Sequence, residues 1–204
     1  MFNSRYGLEK AVLARTKDLT RRDGAKVRLD YEIGLSVGHI LGFGRKETLE
    51  EFAIRKAPFK VGDIVPVAQS YETILEDVYH GQEENFCNRI LQAHGKKKLG
   101  EVFGWTNKMY VKSELMPHHI KIKSIRFEQL KCISDEECLR EGIYRRDDVL
   151  DLNLNPVVRY QYYGNPAMFK SPREAYASLI DKLGGKGTWD RNEFQYVYEF
   201  ELVN

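Results

Sequence analysis

Apolar positions recur along this chain with two different periods. From Tyr6 to Arg15, Leu8, Ala11, Val12 and Leu13 fall at helical spacing and predict a short amphipathic helix. At the other end, "EFQYVYEFELV" alternates Phe194, Tyr196, Tyr198, Phe200 and Leu202 against mostly polar neighbours, which predicts a strand with one buried face. "HHIKIKSIRFEQL" alternates less regularly through Ile120, Ile122 and Ile125 and reads as a half-buried strand. Gly62-Asp63 marks a turn, after which Ile64 to Tyr71 is strand-like, with Pro66 arguing for an edge or a bulge.

Punctuation residues place the helices. Ser134 followed by Glu137 forms a capping box, and Ser171-Pro172-Arg173-Glu174 supplies an N-cap, a proline at the first helical position and a glutamate three residues past the cap. That second helix should run to about Leu183, where Gly184-Gly185 stops it. "KETLEEFAIRK" predicts a brief surface helix, whereas "AKVRLDYEIGLSVGHILGFG" mixes β-branched residues with four glycines, a composition of strand and turn. From Glu72 to Gly104 the pattern is helical and polar, with no small-domain signature of its own, and reads as an insertion at 72–104; residues 147–170 read as a long loop. Two or three short helices interleaved with separated strands predict an α+β fold with a small mixed, mostly antiparallel sheet or barrel, in one domain over 1–204.

Composition narrows the function classes only slightly. A formal net charge of +2 means that any affinity for a polyanion must come from local clustering of Lys and Arg. Cys87, Cys132 and Cys138 are odd in number and lack metal-ligand spacing, so they read as reduced thiols. No apolar run approaches the roughly 20 residues of a membrane span. "MFNSRYGLEK" lacks the apolar core of a signal peptide, and a cytoplasmic protein is expected.

Several motifs fail on their own geometry. Gly42-x-Gly44 has Glu47 where a dinucleotide fingerprint needs its third glycine, and "HGKKKLG" lacks the first glycine and the Ser or Thr of a phosphate loop. His118 and His119 are adjacent, so on a strand they point to opposite faces and are poorly placed to chelate one ion. No motif implies a cofactor or a metal.

"ARTKDLTRR", residues 14 to 22, concentrates four cations, one anion and two hydroxyls. On the residues alone it is a solvated basic turn or one wall of a site. A Lys17 amine with a pKa lowered by burial can take a proton from Thr20, and Arg22 can hold an oxyanion through its forked donors. Lys17 and Thr20 share a face only if a turn or bulge intervenes. A second basic concentration runs from His94 to Lys131, with nine Lys or Arg against three Glu, interleaved with Phe103, Trp105 and Tyr110. It suits single-stranded nucleic acid if the rings are exposed, and is a solvated loop if they are core.

"AVLARTKDLTRR", "PFKVGDIVPVAQSY", "LKCISDEECLREGI" and "GTWDRNEFQYVYEFELV" occur in the order seen in proteins of the ASCH domain family, and the chain resembles that family's larger phage and prophage members, with "KMYVKSELMP" similar to their segment ahead of the central strand. The resemblance implies a PUA-like small barrel with flanking helices and a cleft lined by the basic motif. It implies binding of RNA, single-stranded nucleic acid or a modified nucleoside or, alternatively, amidohydrolase activity on N4-acylated cytidine. Lys17, Thr20 and Glu141 match the catalytic set of the family's enzymes, with Arg21, Arg22, Gln69, Tyr71 and Trp105 as candidate ligand-binding residues. On its own, Glu141 reads as a surface residue at a helix end. The chain departs from the family where Ala68-Gln69 and Tyr71 replace an Arg-Glu pair and a Trp, and where Arg15-Thr16 replace a Gly ahead of the motif. The 72–104 segment is a candidate surface for a protein partner.

Overall fold

The structure is a computed structural model that describes residues 8–41, 47–79, 81 and 83–203. In chain order its elements are α1 (Leu8–Leu13), β1 (Leu19–Asp23), α2 (Ala25–Ile40), α3 (Leu49–Lys56), β2 (Ile64–Pro66), α4 (Tyr71–Asp77), α5 (Glu83–His94), β3 (His119–Gln129), α6 (Asp135–Arg140), β4 (Tyr144–Leu150), β5 (Pro156–Gln161), α7 (Pro172–Gly184), α8 (Thr188–Arg191) and β6 (Phe194–Val203). Short 3-10 turns cover Leu99–Glu101, Lys108–Tyr110, Ser113–Leu115 and Leu130–Cys132.

The fold is α+β. Its main sheet is a strongly curled half-barrel with strand order β1-β6-β3-β2, and β4 and β5 form a separate hairpin. Every strand pair among the described residues is antiparallel, so the sheet is not mixed. The alternating C-terminal run is the spine: Tyr196, Tyr198 and Phe200 of β6 face the core in register with Phe127, Ile125 and Ile122 of β3. Burying each such side chain contributes about 1.5–3 kcal/mol. Pro66 sits on edge strand β2, where its missing N–H interrupts no ladder.

Both predicted caps form. Ser134 and Glu137 close the box that starts α6, and Ser171 accepts from the Glu174 N–H at the start of α7, which ends at Gly185 with φ +91°. The 72–104 segment, read as helical and polar, contributes Ile74, Phe86, Ile90 and Val102 to a second apolar cluster, which Tyr71, Leu115 and Met116 complete. The periodicity of α5 hid this because only Phe86 and Ile90 of its twelve residues are buried.

Four further expectations are corrected. The glycine-bearing stretch is the 16-residue helix α2, in which Gly34 and Gly38 lie one turn apart. Tyr31 on this helix packs on Phe52 of α3, with ring centroids 5.5 Å apart. Val27, Leu29, Tyr31, Ile33, Leu35 and Val37 alternate with period two, which imitates a strand, although Leu29, Ile33, Val37 and Ile40 also share one helix face; α2 has no buried residue, and that face is exposed. The strand from Ile64 stops at Pro66, because Ser70 caps a new helix that begins at Tyr71. The expected loop at 147–170 contains the β4–β5 hairpin, whose arginines and aspartates pair along the strand and leave little apolar alternation to read. Eight α-helices, not two or three, occur among the described residues. Gly42-x-Gly44 lies outside the described residues, as does the start of the first predicted helix at Tyr6.

Candidate functional site

The chain leaves α1 through a turn that drives the basic motif inward. Arg15 takes φ +58°, in the left-handed region where a glycine is favoured, and the N–H groups of Thr16 and Lys17 both donate to Ala11 O. Lys17 is thereby buried although its neighbours Arg15 and Thr16 are exposed. A turn does intervene between Lys17 and β1, yet Thr20 lines the cleft and Lys17 a different pocket.

Glu141 arrives from the other end of the sequence. It is the C-cap of α6, and Gly142 follows with φ +102°, packed so closely that an added Cβ would lie 3.1 Å from Leu8 Cδ2. This turn sends the carboxylate back under β1. Lys17 Nζ donates to Glu141 Oε2 at 2.5 Å, to Glu141 O at 3.0 Å and to Leu19 O at 2.6 Å, which satisfies the three hydrogens of an ammonium. The two side chains are 1% and 6% exposed, so the pair is held in a low-dielectric setting where each charge depends on the other. Burial lowers the Lys17 pKa, with Glu141 opposing that shift.

The second carboxylate oxygen is differently placed. Glu141 Oε1 receives the Tyr176 hydroxyl at 3.5 Å, the long limit of a hydrogen bond, and lies 3.6 Å from Arg21 Nη1. Burial and the Glu141 charge push the Tyr176 pKa well up, so the phenol stays a donor. Arg21 bonds Glu128 at 2.7 Å and Glu137 at 3.1 Å, while its buried Nε and Nη1 make no hydrogen bond among the described residues. Burial works against the Arg21 charge, yet Tyr176 and the surrounding carboxylates outweigh it and raise the pKa.

These groups meet at a cleft of about 610 Å3 between edge strand β1 and the helices α7 and α8. Its size suits a small-molecule ligand. Thr20, Arg21, Arg22 and Glu141 line it beside Tyr176, Leu179, Thr188 and Arg191. In register Thr20 and Arg22 oppose Tyr198 and Tyr196, while Arg21 opposes Val197 on the other face of the sheet, so the strand's edge presents side chains from both faces. Burial lowers the Arg22 pKa, with Glu141 and Tyr198 opposing. Lys17 stands behind the wall and lines a smaller pocket of about 250 Å3 with Asp18, Arg140 and Glu199.

Five of the eight predicted site residues, Lys17, Thr20, Arg21, Arg22 and Glu141, therefore come together. Four of them line the cleft and Lys17 holds Glu141 from behind, whereas the other three lie away from it. Gln69 is fully buried, its N–H on Met116 Sδ at 3.4 Å and its side-chain amide without a hydrogen bond among the described residues. Tyr71 belongs to the second core, its hydroxyl accepting from the Lys112 N–H and contacting His94 Nε2 at 2.7 Å, and Trp105 packs half-buried on that same core. Nor is the cleft a basic one: Asp23, Glu141 and Glu193 match Arg21, Arg22 and Arg191 in its lining.

Sequence reasoning missed Tyr176 and Arg191. Tyr176 lies in the buried stripe of α7 with Ala175 and Leu179, where it reads as core, and its polar tip was the only signal. Among the described residues no cluster of three or more His, Cys, Asp or Glu is arranged to hold a metal ion, and no helix is long and apolar enough to cross a membrane. No family model, curated protein or solved structure matches the chain.

Proposed function

We propose that the chain is an ASCH-like module of PUA-like fold whose cleft binds a nucleobase, presented by RNA, by single-stranded nucleic acid or as a modified nucleoside. The four sequence segments support the family. One geometric observation carries the ligand class: a buried carboxylate in the cleft lining, fixed through Oε2 by Lys17, whose Oε1 has only the long contacts to Tyr176 and Arg21. An oxygen so placed accepts a hydrogen bond from an exocyclic amine such as that of cytosine. Thr20 supplies a hydroxyl beside it, and Tyr176 and Leu179 supply the apolar wall against which a base packs.

Because acids and cations balance in the lining, recognition there rests on hydrogen bonding and shape. The binding of a free nucleoside should then change little with salt. Titration of the protein with cytidine and with a cytidine-containing single-stranded oligonucleotide, followed by NMR, tests the reading. Shifts of β1 and α7 resonances support it, and the absence of binding by both ligands at low salt refutes it.

The amidohydrolase alternative needs Thr20 to attack an amide carbonyl while Lys17 takes its proton. The lowered Lys17 pKa favours that role, but Nζ already donates to three oxygens, none of them the Thr20 hydroxyl. Mass-spectrometric detection of deacylated product from N4-acetylcytidine, lost in Lys17→Ala, is the result that would establish it over simple binding.

A further inference from the structure

The cleft lining carries as many acids as cations and so no net positive charge to draw the phosphates of a polymer, whereas a different surface of the chain carries an excess of cations. Phe103 and Tyr110 are 78% and 58% exposed, and their ring centroids lie 6.0 Å apart at 52°, so each ring keeps a face open to solvent. Both are rigidly displayed. Phe103 stands between buried Val102 and buried Gly104, where an added Cβ would come within 2.6 Å of the Tyr71 ring. Tyr110 closes the 3-10 turn whose cap is Asn107, and Lys108 in that turn is tied to Glu9 of α1 at 2.7 Å. Glu9 is the neighbour of Leu8, which lines the cleft, so the turn that carries Tyr110 is fastened to the cleft wall.

The segment that carries the rings is cationic. From Lys96 to Glu114 the chain has five lysines against two glutamates, and Lys96, Lys97, Lys98 and Lys112 are exposed. Open aromatic faces with exposed lysines before and after them in the chain match single-stranded nucleic acid, whose bases stack and whose phosphates pair with cations. We propose that the Phe103–Tyr110 pair and its lysines form a stacking surface for single-stranded nucleic acid, which lengthens the contact begun in the cleft. The extension rests on the reading of that cleft as a base site.

The test uses the full chain with a fluorescent oligo-dC of about ten nucleotides, within the span of known single-strand sites, and with free cytidine. Phe103→Ala/Tyr110→Ala should weaken oligonucleotide binding by roughly tenfold or more and leave cytidine binding unchanged. Lys97→Glu/Lys98→Glu should reduce the slope of log affinity against log salt. Exposed positions should leave the thermal transition in place. Oligonucleotide affinity within about twofold of wild type in the ring variant, or no oligonucleotide binding by wild type at low salt, overturns the surface. If cytidine still binds in that case, the cleft reading stands alone. Ring-dependent oligonucleotide binding without any cytidine binding would instead refute the cleft and keep the surface.

Discussion

Lys17 and Glu141 stand 124 residues apart in the chain and 2.5 Å apart in the fold, each almost sealed from water. The contact joins the turn after α1 to the C-cap of α6, so it tethers two distant segments and fixes one oxygen of a carboxylate that lines the cleft. An isolated charge at either place would bear a desolvation cost that its remaining neighbours, two backbone carbonyls for Lys17 and Tyr176 and Arg21 for Glu141, offset only in part.

Removing either partner alone should therefore cost about 3–5 kcal/mol. Chemical denaturation of Glu141→Gln and Lys17→Met should show losses of that size. The double substitution should cost clearly less than the two combined, because it leaves no unpaired buried charge.

Acid stability should depend on Glu137. Partial burial acts to raise its pKa, but the Arg126 hydrogen bond at 2.5 Å, the Ser134 N–H and Arg21 hold it below its ordinary 4.5. A carboxyl depressed in the folded state stabilises the protein above its unfolded value, and that stability is lost as pH falls through the folded one. Urea midpoints measured downward from pH 6 should drop below about pH 4.5, and Glu137→Gln should flatten that drop while lowering stability near neutrality by about 1–3 kcal/mol.

Gly142 should tolerate no side chain. Its φ of +102° and the 3.1 Å approach of Leu8 Cδ2 predict that Gly142→Ala loses about 1–3 kcal/mol. The same change presses on a residue of the cleft wall, so nucleoside affinity measured by calorimetry should fall with it.

The thiols should react in a fixed order. Cys132 is exposed, whereas Cys138 is buried and its pKa is pushed up to about 12, chiefly by burial and then by Asp135. Alkylation at pH 8 followed by peptide mass spectrometry should label Cys132 first and Cys138 only when the protein unfolds.

What was legible in the sequence tracks where the physics is local. The caps at Ser134 and Ser171 and the alternation from Phe194 to Leu202 specify their elements through neighbours a few residues away, and all three form. Helix α2 escaped because its apolar residues alternate from Val27 to Val37 as a strand's would, and the β4–β5 hairpin escaped because its side chains pair with each other in solvent. In the site, Lys17 and Glu141 could be joined only by analogy, since periodicity is silent about partners more than a hundred residues away. Gln69, Tyr71 and Trp105 were misplaced because the second core that absorbs Tyr71 and Trp105 has no local signature.

Cytidine and uridine differ at the group that Glu141 meets in the proposed base site, an amine in one and a carbonyl in the other. Calorimetric titration of the unaltered protein with both nucleosides tests that placement without disturbing the buried pair. Saturable cytidine binding at least tenfold tighter than uridine binding, a gap of about 1.4 kcal/mol, is the predicted result; equal affinities, or heats from neither, would contradict it.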